Sequence, residues 1–338
     1  MLRTIALVVA LTAVLPALAQ EYRIEEVPSV LTLNVAQLKP KTLAFSDHHK
    51  DELADPASGL MRFEDWARER PQQKQYLSLF PSFAEILKTV PDSNGKLQTE
   101  KLHVYVAESR FLLPKPPEAI NLARYATLPI LQGIDPSITH RLITAEDLAA
   151  TKDSGALAHP DRAWCEQRPN VICIQSRYQF EGRLPLGIRL INKLRDGVRK
   201  YPEYIEFQSE IRLLKPEEID QTAMMQLSGL DHPVVGVVEQ NIFFVNHIMR
   251  FGKFLALIQK HPTDPSKSIA TTFMALAVKS DLLEMKKEYA NYPVLRNLVP
   301  AQVLSGKSSF NTGTSLSAGL PDYTRNRLKA IAALLERD

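Results

Sequence analysis

From Tyr204 to Leu214 the chain alternates. Ile205, Phe207, Ser209, Ile211 and Leu213 fall on one side of an extended segment, and the charged residues fall largely on the other. A period of two belongs to a strand, and a strand with one apolar face must bury that face against another layer. Phe254–Gln259 and Ile269–Val278 flank the cluster His261-Pro262-Thr263-Asp264-Pro265-Ser266, which reads as a reverse turn between paired strands. Val171–Phe180 is a further strand candidate running into the turn Glu181-Gly182. Leu102, Val104 and Val106 alternate with His103 and Tyr105, the pattern of a half-buried strand.

Helical signals gather elsewhere. Phe83, Ile86, Leu87 and Val90 recur as one helical face does, ahead of the turn Pro91-Asp92-Ser93-Asn94-Gly95. Thr144 with Asp147 makes a capping signal for a helix through Ala150. Leu328, Ile331, Leu334 and Leu335 form the apolar face of a last helix, expected to start after Pro321-Asp322. Strands and helices that do not strictly alternate favour an α+β fold, with an antiparallel β-rich C-terminal half and terminal and N-terminal helices, over a doubly wound sheet. Val237–Lys253 admits two readings. Phe244, Ile248, Phe251, Leu255 and Ile258 fit a helical seam, yet the residues favour strands and Gly252 interrupts.

The polar stretch Thr151–Ala163, with Gly155 and Pro160, is the candidate boundary. The expected organisation is a signal peptide over residues 1–19, a helix-rich region over 20–155 with a strand near 102–106, and an α+β domain over 156–338. The last two are compatible with one continuous domain.

The signal-peptide reading rests on layout. Met1-Leu2-Arg3 is a basic start, Thr4–Leu15 is apolar, and Pro16 precedes Ala17-Leu18-Ala19, with cleavage expected before Gln20. The apolar run falls short of the about 20 residues that cross a bilayer, so no stable transmembrane anchor is expected. The destination is then periplasmic or extracellular, and the compact signal leans bacterial. In that compartment Cys165 and Cys173, separated by a loop containing Arg168-Pro169-Asn170, are expected to form a disulfide.

Composition and motifs remove several chemistries. Lysine plus arginine number 41 against 38 acidic residues, a formal charge of +3 that gives no general attraction to nucleic acid. The aromatic interleaving that stacks single strands is missing. No Gly-x-Ser-x-Gly occurs, and the last histidine, His261, precedes every serine of the near-misses at 313–319. Ser93-Asn94-Gly95-Lys96 is a hairpin dipeptide in a Ser-x-x-Lys frame. Ser305-Gly306-Lys307-Ser308 ends like a phosphate loop, but Ala301 stands where that motif requires glycine. Among metal candidates, His48 and Glu52 would share a helical face, but the favoured reading of Asp47–Glu52 is a solvated loop, since no His-Glu-x-x-His accompanies it. No cofactor is implied.

Arg183–Lys200 is basic, with leucines and isoleucines interleaved. It reads either as a helix buried on one side with its cations snorkelling, or as a surface meeting lipid headgroups. His247, within the ambiguous apolar segment, reads first as a hydrogen-bonded core histidine. The expected function is non-catalytic binding of an apolar or amphiphilic small molecule, or of a cell-envelope component. Arg183, Arg189, Lys193, His247 and Phe251 are the candidate contacts. The alternative is an exported hydrolase without a recognisable motif.

Overall fold

The computed structural model describes residues 22–47, 61–62, 89–91, 97–99, 102–134, 138–144, 146–147, 171–179, 189–190, 193, 204–245, 249–279 and 316–337. Their frame is a sheet of ten strands. In chain order these are β1 (Arg23–Glu26), β2 (Thr42–Asp47), β3 (Met61–Arg62), β6 (Leu102–Leu113), β7 (Ile138–Leu142), β8 (Val171–Gln179), β9 (Tyr204–Leu214), β10 (Val234–Val245), β11 (Met249–Lys260) and β12 (Ser268–Lys279). Across the sheet they run β1-β2-β6-β12-β11-β10-β9-β8-β7, and β3 also pairs with β6. Only β1 and β2 are parallel neighbours. A separate ribbon joins β4 (Thr89–Pro91) to β5 (Leu97–Thr99). The described helices with named bounds are α1 (Leu128–Ile134), α2 (Gln221–Ser228) and α3 (Leu316–Arg337). The architecture is α+β and β-rich, with a C-terminal helix.

The expected hairpin is present. β11 and β12 pair from Met249↔Val278 to Lys260↔Ser268, closed by a turn in which His261 N–H donates to the Lys267 carbonyl at 3.1 Å. The ambiguous segment is β-structured on both sides of residues 246–248. Register shifts between Ile242 and Phe244 and between Met249 and Phe251 break the alternation, and Leu255 and Ile258, three residues apart, fall on opposite, equally buried sides of β11. Each bulge adds a residue and moves the alternation out of phase, so a two-residue period imitates a longer one. β6 reaches Leu113, well past the 102–106 expected. Residues 106–113 are all buried, so no solvent-facing polar residues mark their alternation, and Pro114 follows directly. Pairing of β6 with β12 over their full length places strands from either side of residues 151–163 in one sheet.

Register assigns every side chain in the central strands to one of two sides. On one side Phe45, Ala107, Phe111, Met274, Ala270, Phe254, Ala256 and Ile258 pack into one cluster with Leu328, Ala332 and Leu335 of α3. Ile331 and Leu334 pack against it, so all four residues expected on the apolar helix face do face the sheet. A satellite cluster of Leu131, Ile174 and Ile211 seats α1 over β8 and β9. The tight turn Leu122–Ala126 crosses β10 so closely that a Cβ on Gly236 would stand 2.5 Å from Leu122 Cδ1. On the other side α2 lies near the start of β10. Gln221 brackets Val234, its Oε1 accepting from the Val234 N–H and its Nε2 donating to the Val234 carbonyl, each at 2.9 Å.

α2 is closed at both ends by local chemistry. Asp220 accepts from the Ala223 N–H at 3.1 Å, and Gly229 takes φ +68°, with its N–H on the Met225 and Gln226 carbonyls. A Cβ at Gly229 would also meet the Leu31 carbonyl oxygen at 3.3 Å. Gly229→Ala is therefore expected to lower stability by about 1–2 kcal/mol. Chemical denaturation checks this: an unchanged midpoint would mean that the cap does not hold α2 in place.

Candidate functional site

One rung crosses the helix-facing side of the sheet as Ala107, Met274, Phe254, Gln240, Ile211 and Ile172. Gln240 is its one polar member, and it is 3% exposed. A buried primary amide costs about 1–3 kcal/mol if left unbonded, and this one is bonded at both ends. Arg327 of α3 donates from Nη2 to Gln240 Oε1 at 2.6 Å, with its guanidinium 5.8 Å from the Phe254 ring centroid. Gln240 Nε2 then donates to Ser209 Oγ at 3.0 Å. Ser209 is fully buried in the next rung, between Ile242 and Ile174. A polar string thus runs from the C-terminal helix into an apolar layer. Two further polar contacts lie in that layer, Ser109 Oγ with Thr272 Oγ1 at 2.6 Å and Thr324 Oγ1 with Met274 Sδ at 3.4 Å.

Charge pairs fasten α3 at its rim. Lys41 Nζ lies 2.5 Å from Glu336 Oε2, and Arg325 meets Glu26 Oε1 through Nη2 at 2.8 Å. Arg325 also stacks over Phe45, 4.8 Å from the ring centroid. Lys41 adopts φ +57°, a left-handed backbone that a non-glycine residue rarely takes. Beneath this rim Tyr22 is 2% exposed and set edge-on to Phe111 at 6.1 Å. Burial, reinforced by the Glu336 carboxylate, holds its phenol protonated far above the ordinary range.

The opposite side carries charge. Its matching rung reads Val106, Ala275, Lys253, Asn241, Glu210 and Cys173. Lys253 is 1% exposed and ion-pairs with Glu239, while Arg212 stands 3.5 Å from Glu239 and 3.4 Å from Glu210. Burial pulls the Lys253 ammonium pKa down, and the Glu239 carboxylate opposes that pull. Arg110, fully buried, donates from Nε to Thr271 Oγ1 at 3.1 Å and from Nη2 to the Ser228 carbonyl at the end of α2. Burial lowers its pKa to about 10, which leaves it charged at neutral pH. These groups tie five strands and α2 together.

The expected contact residues are spread out. Arg189 and Lys193 lie in helical conformation, the first half-buried and the second exposed, and Leu190 beside them is 51% exposed. Phe251 lies on β11, with its side chain outside the described set. Arg183, His247, His48, Glu52 and Cys165 also lie outside the described residues, while Cys173 is buried on β8. Among the described residues no group of three or more histidine, cysteine, aspartate or glutamate side chains is placed to hold a metal. Among them, too, no helix is long and apolar enough to cross a membrane.

His140 Nδ1 lies 2.8 Å from Ser176 Oγ across β7 and β8, a spacing that a nucleophile and its base would share. Ser176 is fully buried, however, and so out of a substrate's reach in this form. Sequence reasoning passed over Arg327, Gln240 and Ser209. The available signal was a glutamine and a serine on the apolar phase of two strands, and Ser209 did stand among the apolar positions of β9.

Removing one partner of the Lys253–Glu239 pair strands a buried charge, so Lys253→Met is expected to cost about 3–5 kcal/mol. Adding Glu239→Leu should recover much of that loss, giving a coupling above about 1.5 kcal/mol in a double-mutant cycle. Additive losses in denaturant titrations would show that the pair does not act as a unit.

No family model matches the chain, and no curated protein matches it. Solved structures similar to it include an aromatase/cyclase from a Streptomyces species, at 7% identity and a TM-score of 0.34 over 70% of this chain and 95% of that one. The protein Ara h 8.0201 is similar at 9% identity and a TM-score of 0.29, covering 70% of this chain and 99% of its own. A human lipid transfer and protein localization domain, from StarD13, is similar at 7% identity and a TM-score of 0.25, over 60% of this chain and 82% of that one. At these scores the likenesses establish neither a family nor a ligand.

Proposed function

We propose that this protein is a non-catalytic, exported binder of an apolar or amphiphilic small molecule, held between the helix-facing side of the sheet and α3. The observation that carries this reading is the make-up of that layer: apolar walls from several strands and one long helix, crossed by the Arg327–Gln240–Ser209 string and, among the described residues, few other polar contacts. Few, convergent polar groups in an apolar enclosure are what a small-molecule site needs, since the walls supply affinity and the polar groups supply orientation.

Dimensions favour the same reading. The sheet is nine strands wide along its main path, about 38 Å, and its longest strands extend about 40 Å. α3, at 22 residues, is about 33 Å long and about 10 Å across, and so covers roughly a quarter of that area. α1 and the turn at Leu122–Ala126 cover more. α3 is held at its rim by ion pairs as well as by its apolar face, and lifting it would bare an apolar face that a ligand's own apolar body can cover. A ligand could then enter beneath it.

Export of the chain and the Cys165–Cys173 cross-link belong to the same proposal. Supporting them are the layout of residues 1–19 and the occurrence of just two cysteines, close in sequence. The test is native mass spectrometry of the full-length gene product recovered from the periplasm of a bacterial host. Expected are a chain beginning at Gln20, a two-proton mass deficit removed by reduction, and a co-purifying apolar molecule released by organic solvent. A chain of one mass before and after extraction, unable to take up added long-chain lipid, would contradict the binding role.

A further inference from the structure

We infer that His261 is an acid-sensitive latch on the tip of the β11–β12 hairpin: its neutral ring holds the turn closed, and protonation of that ring releases it. The direction of the hydrogen bonds carries this. His261 Nδ1 lies 3.1 Å from the Asp264 amide nitrogen and 3.3 Å from that of Thr263. Backbone N–H groups only donate, so Nδ1 is the acceptor in both bonds and holds no proton. The ring is then neutral, with its proton on Nε2. In most turns an oxygen of aspartate, asparagine or serine takes donors placed two and three residues on. The imidazole nitrogen supplies the same acceptor with one difference. In mild acid its lone pair takes a proton, and the acceptor becomes a donor.

The other bonds of the tip do not share that sensitivity. Lys267 N–H donates to the Asp264 carbonyl at 3.1 Å, and the Asp264 carboxylate accepts from Ser266 N–H at 3.0 Å and pairs with Lys267 Nζ at 2.6 Å. Lys267 and Ser266 hold the Asp264 carboxyl well below the usual carboxylate range, so it stays ionised while His261 titrates. The charged or titratable groups acting on the His261 ring are Asp264 and Lys267 of the turn and His232 of the loop between α2 and β10. Burial disfavours the imidazolium, Asp264 opposes that effect, and Lys267 and His232 add to it. The folded chain thus prefers the neutral ring. The latch holds above the ordinary imidazole range and is lost as pH falls through the lower value of the folded state. Opening ends where the strands begin, because Lys260 pairs with Ser268 there and buried Ser268 donates from Oγ to the Lys115 carbonyl at 2.7 Å. None of the tip residues belongs to the cluster packed under α3, so the latch and the ligand role stand or fall separately.

The experiment follows amide hydrogen exchange of Thr263 and Asp264 by nuclear magnetic resonance from about pH 7.5 to about pH 4.5, a span centred on imidazole titration. Rates are expressed as protection relative to an unfolded peptide, so that intrinsic pH dependence cancels. Protection of both amides is expected to fall about five-fold, the size of one neutral hydrogen bond, with the midpoint of the His261 ring titration. His261→Asn keeps an acceptor that does not titrate, and should hold the protection at every pH. His261→Ala should lack it at every pH. Protection that stays constant while the His261 ring titrates overturns the latch. So does a pH-dependent loss that persists in His261→Asn, because it assigns the proton to another group.

Discussion

The structure depends on the register of five long antiparallel strands, β6, β12, β11, β10 and β9. Between the bulges of β10 and β11 side chains alternate across them, so a slip of one residue in any strand would exchange its two faces. Such a slip in β11 would bring Lys253 under α3 and send Phe254 to the charged side. The pairing resists it because both faces are specified. Phe254, Met274 and Ala107 are set against Leu328 and Ala332 of α3. Lys253, Glu239, Glu210 and Arg212 are set against one another. A buried ion pair adds little net stability, but it penalises misregistered pairings that would leave each charge alone. The charged face is best understood in this way, as the device that keeps the apolar face apolar.

With the register fixed, the polar string on the helix-facing side becomes meaningful. Gln240 and Ser209 sit on the phase of their strands that is otherwise given to isoleucine, valine and phenylalanine, and the partner that completes the string comes from the last segment of the chain. The sheet and α3 thus form the string jointly. Arg325 and Lys41, which also bridge α3 to the sheet, meet carboxylates at the rim, whereas Arg327 reaches inward over Phe254 to an amide. Rim pairs of this kind lie in or near solvent and are individually weak, as the proposed entry of a ligand beneath α3 requires.

Much of the fold was legible in the sequence where one face of an element meets polar surroundings. The phase of Tyr204–Leu214, the hairpin around 261–266 and the apolar stripe Leu328–Leu335 all emerged correctly, because burial on one side leaves a periodic trace. The trace fades where both sides are buried. Residues 106–113 extended β6 unannounced, and the bulges in β10 and β11 disguised two strands as a helical seam. The candidate site was less legible still. Its residues are 209, 240 and 327, far apart in sequence, and no spacing rule links a serine, a glutamine and an arginine that only the folded sheet brings together. Charge density instead drew attention to Arg183–Lys200, where the described residues are Arg189, Leu190 and Lys193.

In the proposed binding role, one side of the sheet receives the ligand and the other does not. Intermolecular nuclear Overhauser effects between a carbon-13-labelled fatty acid and methyl-labelled protein measure this directly. Contacts to the methyls of Ile211, Met274 and Leu328, with none to Val106, Leu255 or Leu257 on the charged side, are the predicted result. Contacts confined to the charged side, or to exposed Leu142 and Leu190, would contradict it.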